Sequence, residues 1–225
     1  MSWLELVGAV LGFVSVLLTI KQHIACFPVG IAQVILYIFI FFEARLYSDV
    51  ILQIFYVILL AYGWYTWVRG KNPAPEHFEA PNNLELINSS KPPDNASLNP
   101  SEELPVSILS PTRRACWVLV TLVGTITLGA IMKANTRADF AYLDAFQTVM
   151  SLIAQYLMSF KILESWLIWI AVDVLSVGMY YLKGLYPTTV LYALFLGMAL
   201  FGFLEWRTSF LRNAVSPIVN PPVRS

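Results

Sequence analysis

Long apolar runs alternate with short polar breaks along this chain, and only one break is long. A helix crosses the bilayer core with about 17–25 apolar residues. Seven runs meet or approach that length: 3–20, 27–43, 48–68, 115–132, 142–160, 164–182 and 186–206. Each is expected to form a membrane-spanning helix. Glu43-Ala44-Arg45 separates the second and third runs, and Lys183-Gly184 the sixth and seventh. No basic segment precedes Trp3, so the first run reads as a retained span and not as a cleaved signal.

The runs also repeat. Ala44–Trp67 (ARLYSDVILQIFYVILLAYGWYTW) aligns without a gap on Lys183–Trp206 (KGLYPTTVLYALFLGMALFGFLEW), at an offset of 139 residues. Leu46/Leu185, Tyr47/Tyr186, Leu52/Leu191, Gly63/Gly202 and Trp67/Trp206 are identical, and apolar segments on both sides follow the same offset. Weak internal symmetry between membrane segments marks transporters whose substrate site lies between the halves. Between the two halves the composition changes. Residues 70–112 hold eight of the 13 prolines and six acidic side chains. Such a stretch buries too little apolar surface to fold and is expected to be a disordered linker.

The expected layout is three helices over 1–69, a Pro-rich linker over 70–113, a connecting fourth helix over 114–133, three helices over 134–208, and a tail over 209–225. A three-helix unit starts and ends on opposite sides of the membrane. Two such units run parallel only if the chain crosses once more between them, which the fourth helix supplies. The expected fold is an all-α integral membrane protein of seven helices in a 3+1+3 arrangement, its pseudo-twofold axis along the membrane normal.

Composition agrees and excludes several functions. The chain is 58% hydrophobic and 12% charged, against about 25% charged in soluble domains. Lys+Arg equals Asp+Glu at 14 each, which suggests no nucleic-acid partner. Two cysteines and two isolated histidines make neither a disulfide framework nor a metal site. No phosphate-binding loop is present to couple ATP, and no hydrolase or zinc motif occurs in a span. Asp144 and Asp173 lack the Gly-x-Gly-Asp context of an intramembrane aspartyl pair. Neither an enzyme nor a cofactor is expected, and a purely structural subunit is the alternative from another class. Basic residues set orientation. Lys21, Arg69, Lys71, Lys91, Arg113, Arg114, Lys161, Arg207, Arg212 and Arg224 lie on one side; Arg45, Lys133, Arg137 and Lys183 lie on the other. The richer side is expected to be cytoplasmic. That places the linker and C-terminus inside a bacterial inner (plasma) membrane and the N-terminus outside.

Polar groups inside a membrane are costly and face a cavity or another helix. The fifth helix carries Asp144, Gln147, Thr148, Ser151, Gln155 and Ser159 on one face. Gln33 and Tyr37 are one turn apart on the second helix. The third offers Asp49, Gln53, Tyr56 and Trp64. The sixth offers Trp166, Trp169, Asp173, Ser176 and Tyr180. Interhelical hydrogen bonding and interfacial anchoring explain part of this, notably Trp3, Trp67, Trp117, Trp206 and Asp49 near helix ends. The remainder suits a ligand: amides and hydroxyls for a carboxamide and a ribose, and indoles for a flat or cationic ring. No Lys or Arg lies mid-span, so a phosphorylated ligand is not expected. The candidate site is Trp166, Trp169, Asp173, Gln147, Ser151, Gln155, Gln53, Tyr56, Gln33, Tyr37 and Trp64.

The LY…Q..Y…YGW..W run of the first half and the block ESWLIWIAVDVLSVGMYYLKGLYPTTVLYALFLGMALFGFLEWR of the second resemble the PnuC family of vitamin transporters. The resemblance covers nearly the whole chain except the linker. It implies a SWEET-like fold, a homotrimer in membrane lipid, and facilitated diffusion of unphosphorylated nicotinamide riboside, which a cytoplasmic kinase then traps. Relatives carry thiamine or riboflavin, which are the alternatives here. Two positions depart from the family pattern. Ser165 stands where many members have Asn beside the Trp, and the first-half equivalent reads Ala25-Cys26-Phe27.

Overall fold

The computed structural model describes residues 3–43, 47–70, 104–135, 141–182, 184 and 186–219. Seven helices form among them: α1 (Trp3–Ile20), α2 (Cys26–Glu43), α3 (Tyr47–Arg69), α4 (Pro111–Asn135), α5 (Ala141–Met158), α6 (Glu164–Leu182) and α7 (Tyr186–Val219). Five of these, α2, α3, α4, α6 and α7, are long and apolar enough to cross a membrane. In α1 the apolar stretch is shorter, Leu6–Ile20. The polar stripe of α5 keeps it out of that group. α4 begins earlier than expected, with Pro111 in its first turn, where a missing N–H costs nothing. α7 runs past residue 208 into the expected tail, and 220–225 lie outside the described residues.

Two turns show how alike the halves are. α1 and α5 both end in a Schellman arrangement. His23 N–H donates to Leu18 O and Gln22 N–H to Thr19 O; Ile162 N–H donates to Leu157 O and Lys161 N–H to Met158 O. The residue closing each turn is left-handed, Gln22 at φ 55° and Lys161 at φ 50°. Neither is glycine, so each costs about 1 kcal/mol or more in backbone strain. The next helix then starts the same way, with Cys26 N–H on His23 O and Ser165 N–H on Ile162 O. Every one of these partners is matched at an offset of 139.

Packing follows the same pattern. α1, α2 and α3 pack in succession, as do α5, α6 and α7, while α4 lies against α5. The halves meet through α1 on α7 and α3 on α5, which are equivalent contacts under the offset. Side chains such as Val118, Leu122, Val123 and Ile126 of α4 remain exposed, as suits a lipid-facing helix.

Two expectations need correcting. Trp67 and Trp206 are not interfacial anchors: they are 7% and 0% exposed and sit in the central apolar cluster with Ile20, Phe27 and Trp166. Trp3, at 76% exposure, does fit that role. Nor is the linker without structure over its whole length. Leu104 and Val106 are buried in the same cluster, and Ser107 bridges to Ile162. These few apolar residues escape the reading from composition because the surface that receives them comes from distant helix ends. The rest of the expected linker, 71–103, lies outside the described residues.

Candidate functional site

A cavity of about 290 Å³ lies between the halves. Most of its wall comes in pairs separated by 139 residues: Val16/Gln155, Thr19/Met158, Phe27/Trp166, Gly30/Trp169, Val34/Asp173, Gln53/Tyr192, Tyr56/Phe195 and Leu60/Ala199. Gly12, Ser15, Cys26, Gln33 and Trp67 complete it. Equivalent turns of α1 and α5, α2 and α6, and α3 and α7 therefore face one space. Within the pairs the chemistry differs: Asp173 is opposed by Val34, Trp169 by Gly30, and Gln155 by Val16.

Seven of the expected site residues line this cavity: Trp166, Trp169, Asp173, Gln155, Gln53, Tyr56 and Gln33. The other four lie elsewhere. Gln147 Nε2 donates to Ser176 Oγ at 2.8 Å, and Ser176 in turn donates to Val172 O, so this polar pair ties α5 to α6. Ser151 is buried in α5, one turn before Gln155. Tyr37 stacks on Phe41 at 5.5 Å and would meet a side-chain carbon added at Gly8. Trp64 is 40% exposed, on the outer surface of α3. The stripe on α5 thus divides into a cavity-facing part and a helix-packing part, since Ser159 Oγ also turns to backbone carbonyls, those of Leu59 and Gln155. Reading the sequence stripes alone misses Phe27, Gly30, Trp67 and Tyr192. The repeat was the available signal, because the offset carries Trp166, Trp169 and Gln53 onto Phe27, Gly30 and Tyr192.

One end of the cavity is closed by aromatic side chains. Phe27 meets Trp67 edge-on at 4.9 Å and 89°, and its counterpart Trp166 meets Trp206 at 5.5 Å and 87°. Trp67 and Trp206 approach to 6.1 Å. Hydrogen bonds cross between the halves at this end, among them that of Ser159 Oγ to Leu59 O at 3.3 Å. Trp206 Nε1 donates to Thr19 O at 3.2 Å, Thr66 Oγ1 to Ser159 O at 2.6 Å, and Lys161 Nζ to Gln22 Oε1 at 3.2 Å. The Lys161 ammonium also lies 4.4 Å over the Trp67 ring, a cation–π contact, and is not part of the cavity wall. Neither Trp67 Nε1 nor Trp166 Nε1 has a partner, although both are buried. Ser165 donates to Ile162 O and stays out of the cavity. Its neighbour in the repeat, Cys26, does line the wall.

The family model described as nicotinamide mononucleotide transporter matches residues 2–208. The chain is 29% identical over 219 residues to the nicotinamide riboside transporter PnuC of Escherichia coli, covering 93% of this chain and 87% of that protein. It is 22% identical over 222 residues to the protein of that name from Neisseria mucosa, with 95% and 75% covered. Against the riboflavin/roseoflavin transporter RibM of Streptomyces davaonensis, identity is 21% over 205 residues, with 91% and 84% covered. A crystal structure of the vitamin B3 transporter PnuC superimposes with a TM-score of 0.68 at 23% identity, covering 94% of this chain and 83% of that one, and so shares the fold. The family match takes in all but the end of the seventh helix, together with the whole cavity wall, and the chain accordingly belongs to the nicotinamide mononucleotide transporter family, the PnuC group of multi-pass membrane proteins.

Proposed function

We propose that this protein is a uniporter for nicotinamide riboside, working by facilitated diffusion. The paired cavity carries the reading: equivalent positions of two repeats enclose one space, the arrangement in which rocking two halves exposes a site alternately. In this reading all seven helices span, α1–α3 and α5–α7 are parallel three-helix bundles, and α4 connects them. Trp166 and Trp169 flank the pyridinium ring and Asp173 offsets its positive charge. Gln33, Gln53, Gln155 and Tyr56 take the carboxamide and the ribose hydroxyls. Gln147, Ser151, Tyr37 and Trp64 act in packing and lipid contact. The excess of basic residues on the side of Lys21, Lys161 and Arg207 supports an inner-membrane carrier with its linker and C-terminus cytoplasmic. Family likeness supports a homotrimer and a cytoplasmic kinase that traps the product.

The family's description names the mononucleotide, but the cavity wall favours the riboside. It carries one acidic residue, Asp173, and no Lys or Arg. A phosphate there would lose its hydration and face a carboxylate with no compensating cation. A cavity of about 290 Å³ also suits one ring and a ribose better than three fused rings. Calorimetric titration of the purified protein with nicotinamide riboside, its mononucleotide, thiamine and riboflavin tests this. The riboside is expected to bind most tightly and the mononucleotide far more weakly. Tighter binding of any other member of the set reassigns the substrate, and binding of none leaves a structural role.

A further inference from the structure

The described end of the linker lies over the closed end of the cavity. Leu104, Val106 and Leu109 are buried, whereas Pro105 and Ile108 face outward. The segment is held to the turn between α5 and α6 by two backbone hydrogen bonds, Ser107 N–H to Lys161 O at 3.0 Å and Leu163 N–H to Ser107 O at 2.9 Å. Glu164 Oε1 accepts the Leu109 N–H at 3.0 Å and pairs with Arg114 at 2.7 Å. Its anchors thus belong to the second half. Its apolar side chains do not stop there: Leu104 and Val106 join a cluster that includes Ile20, Phe27 and Trp67 of the first half and Trp206 of the second. The same aromatic residues close the cavity.

We propose that Leu104–Leu109 is a gating strap that seals the linker-side mouth of the cavity and must part from the seam when the cavity opens to that side. The inference rests on the transport reading above. A segment anchored to one half but plugged into the junction of both cannot keep its contacts while the halves rock apart. Its hold is also small enough to reverse. Two buried apolar side chains bridge the seam, and the ion pair beneath them involves an Arg114 side chain that is 54% exposed, where solvent screens the attraction.

A native thiol reports the opening. Cys26 lines the cavity and is 3% exposed, while the other cysteine, Cys116, is exposed on α4. With Cys116→Ser as the parent, a membrane-impermeant charged maleimide is applied to sealed vesicles from each side in turn. The parent is expected to react slowly from the linker side. Val106→Asp places a charge in the seam and is expected to speed linker-side labelling of Cys26 by about tenfold or more. Labelling from the opposite side should stay at or below the parent's rate. Arg114→Ala loosens only the anchor and should give a rise of about two- to fivefold, and it decides the matter if Val106→Asp does not fold. Unchanged labelling in a variant that still binds nicotinamide riboside overturns the strap, as does an equal rise from both sides. A one-sided rise in a protein that binds no riboside sustains the strap and removes the substrate assignment instead.

Discussion

Gly202→Ala is the sharpest test of how the helix packing sets the cavity proposed to bind the riboside. A methyl carbon at this position would stand 2.6 Å from Cη2 of Trp166 and 2.7 Å from Cζ2 and Cζ3. Carbon atoms rest at about 3.5 Å or more, so the indole must move by roughly 0.9 Å. It has little freedom to do so. Trp166 is 2% exposed and its ring meets Trp206 edge-on. The open direction is toward the cavity, whose wall it forms. Overpacking of this kind costs about 1–3 kcal/mol, which for a chain of this size lowers Tm by roughly 2–12 °C. The displaced indole narrows the space for a ring, and if about half of that energy falls on binding, affinity drops about two- to twelvefold. Thermal unfolding in detergent and calorimetric titration with nicotinamide riboside measure the two effects separately. Gly178→Ala is the control: nothing lies within 4 Å of the added carbon, on an exposed stretch of α6. It should be neutral or stabilise by about 0.5–1 kcal/mol, the ordinary gain of Ala over Gly inside a helix. Gly202→Ala with a lowered Tm but unaltered affinity would refute the place given to Trp166 in the site. An unaltered Tm would refute the packing argument itself.

Trp169→Ala should weaken riboside binding by about 1–2 kcal/mol through loss of a desolvated cation–π contact, and a well-folded variant of unchanged affinity removes the residue from the site. Asp173→Asn should cost roughly 1.5–3 kcal/mol toward the cationic riboside and much less toward a neutral reduced analogue; equal losses for both would show that charge is not its contribution. Replacing 72–103 by a short Gly/Ser segment, with the strap retained, should leave uptake into proteoliposomes intact, whereas extending the replacement through 110 should not. In proteoliposomes uptake should stop when inner and outer riboside concentrations match, and accumulation driven by an imposed proton or sodium gradient would overturn uniport and make Asp173 and Glu164 the first residues to test as coupling sites.

Helix positions were legible because the bilayer makes run length informative. Each expected span falls on a described helix, with ends that differ by a few residues except at α4 and α7. The strap was not legible, since a few apolar residues in a Pro-rich stretch say nothing about a receiving surface built from Ile20, Leu163 and Trp206. The stripes were legible only as polarity. They could not separate Gln155, which faces the cavity, from Gln147, two turns earlier on the same helix face, which bonds Ser176. That distinction depends on how α5 sits against α6. The repeat, taken as a rule and not only as a sign of ancestry, recovers much of what was missed. Positions that hold the halves in the same shape are unchanged across it: Gly63 and Gly202 each back onto an aromatic ring, and Trp67 and Trp206 each meet that ring edge-on. Positions on the cavity wall have departed from one another, with Asp173 against Val34, Trp169 against Gly30, Gln53 against Tyr192 and Tyr56 against Phe195. A twofold cavity with identical walls would offer the same chemistry to both ends of its ligand. A riboside has a cationic aromatic end and a polyhydroxyl end, so the proposed substrate requires walls that differ. The second half supplies Trp166, Trp169 and the carboxylate of Asp173 together with Gln155 and Tyr192, and the first half supplies Gln33, Gln53, Tyr56 and Trp67. Conservative shape with divergent lining is what a symmetric carrier needs to rock evenly around an unsymmetrical molecule, and it places the choice of vitamin in those few mismatched pairs.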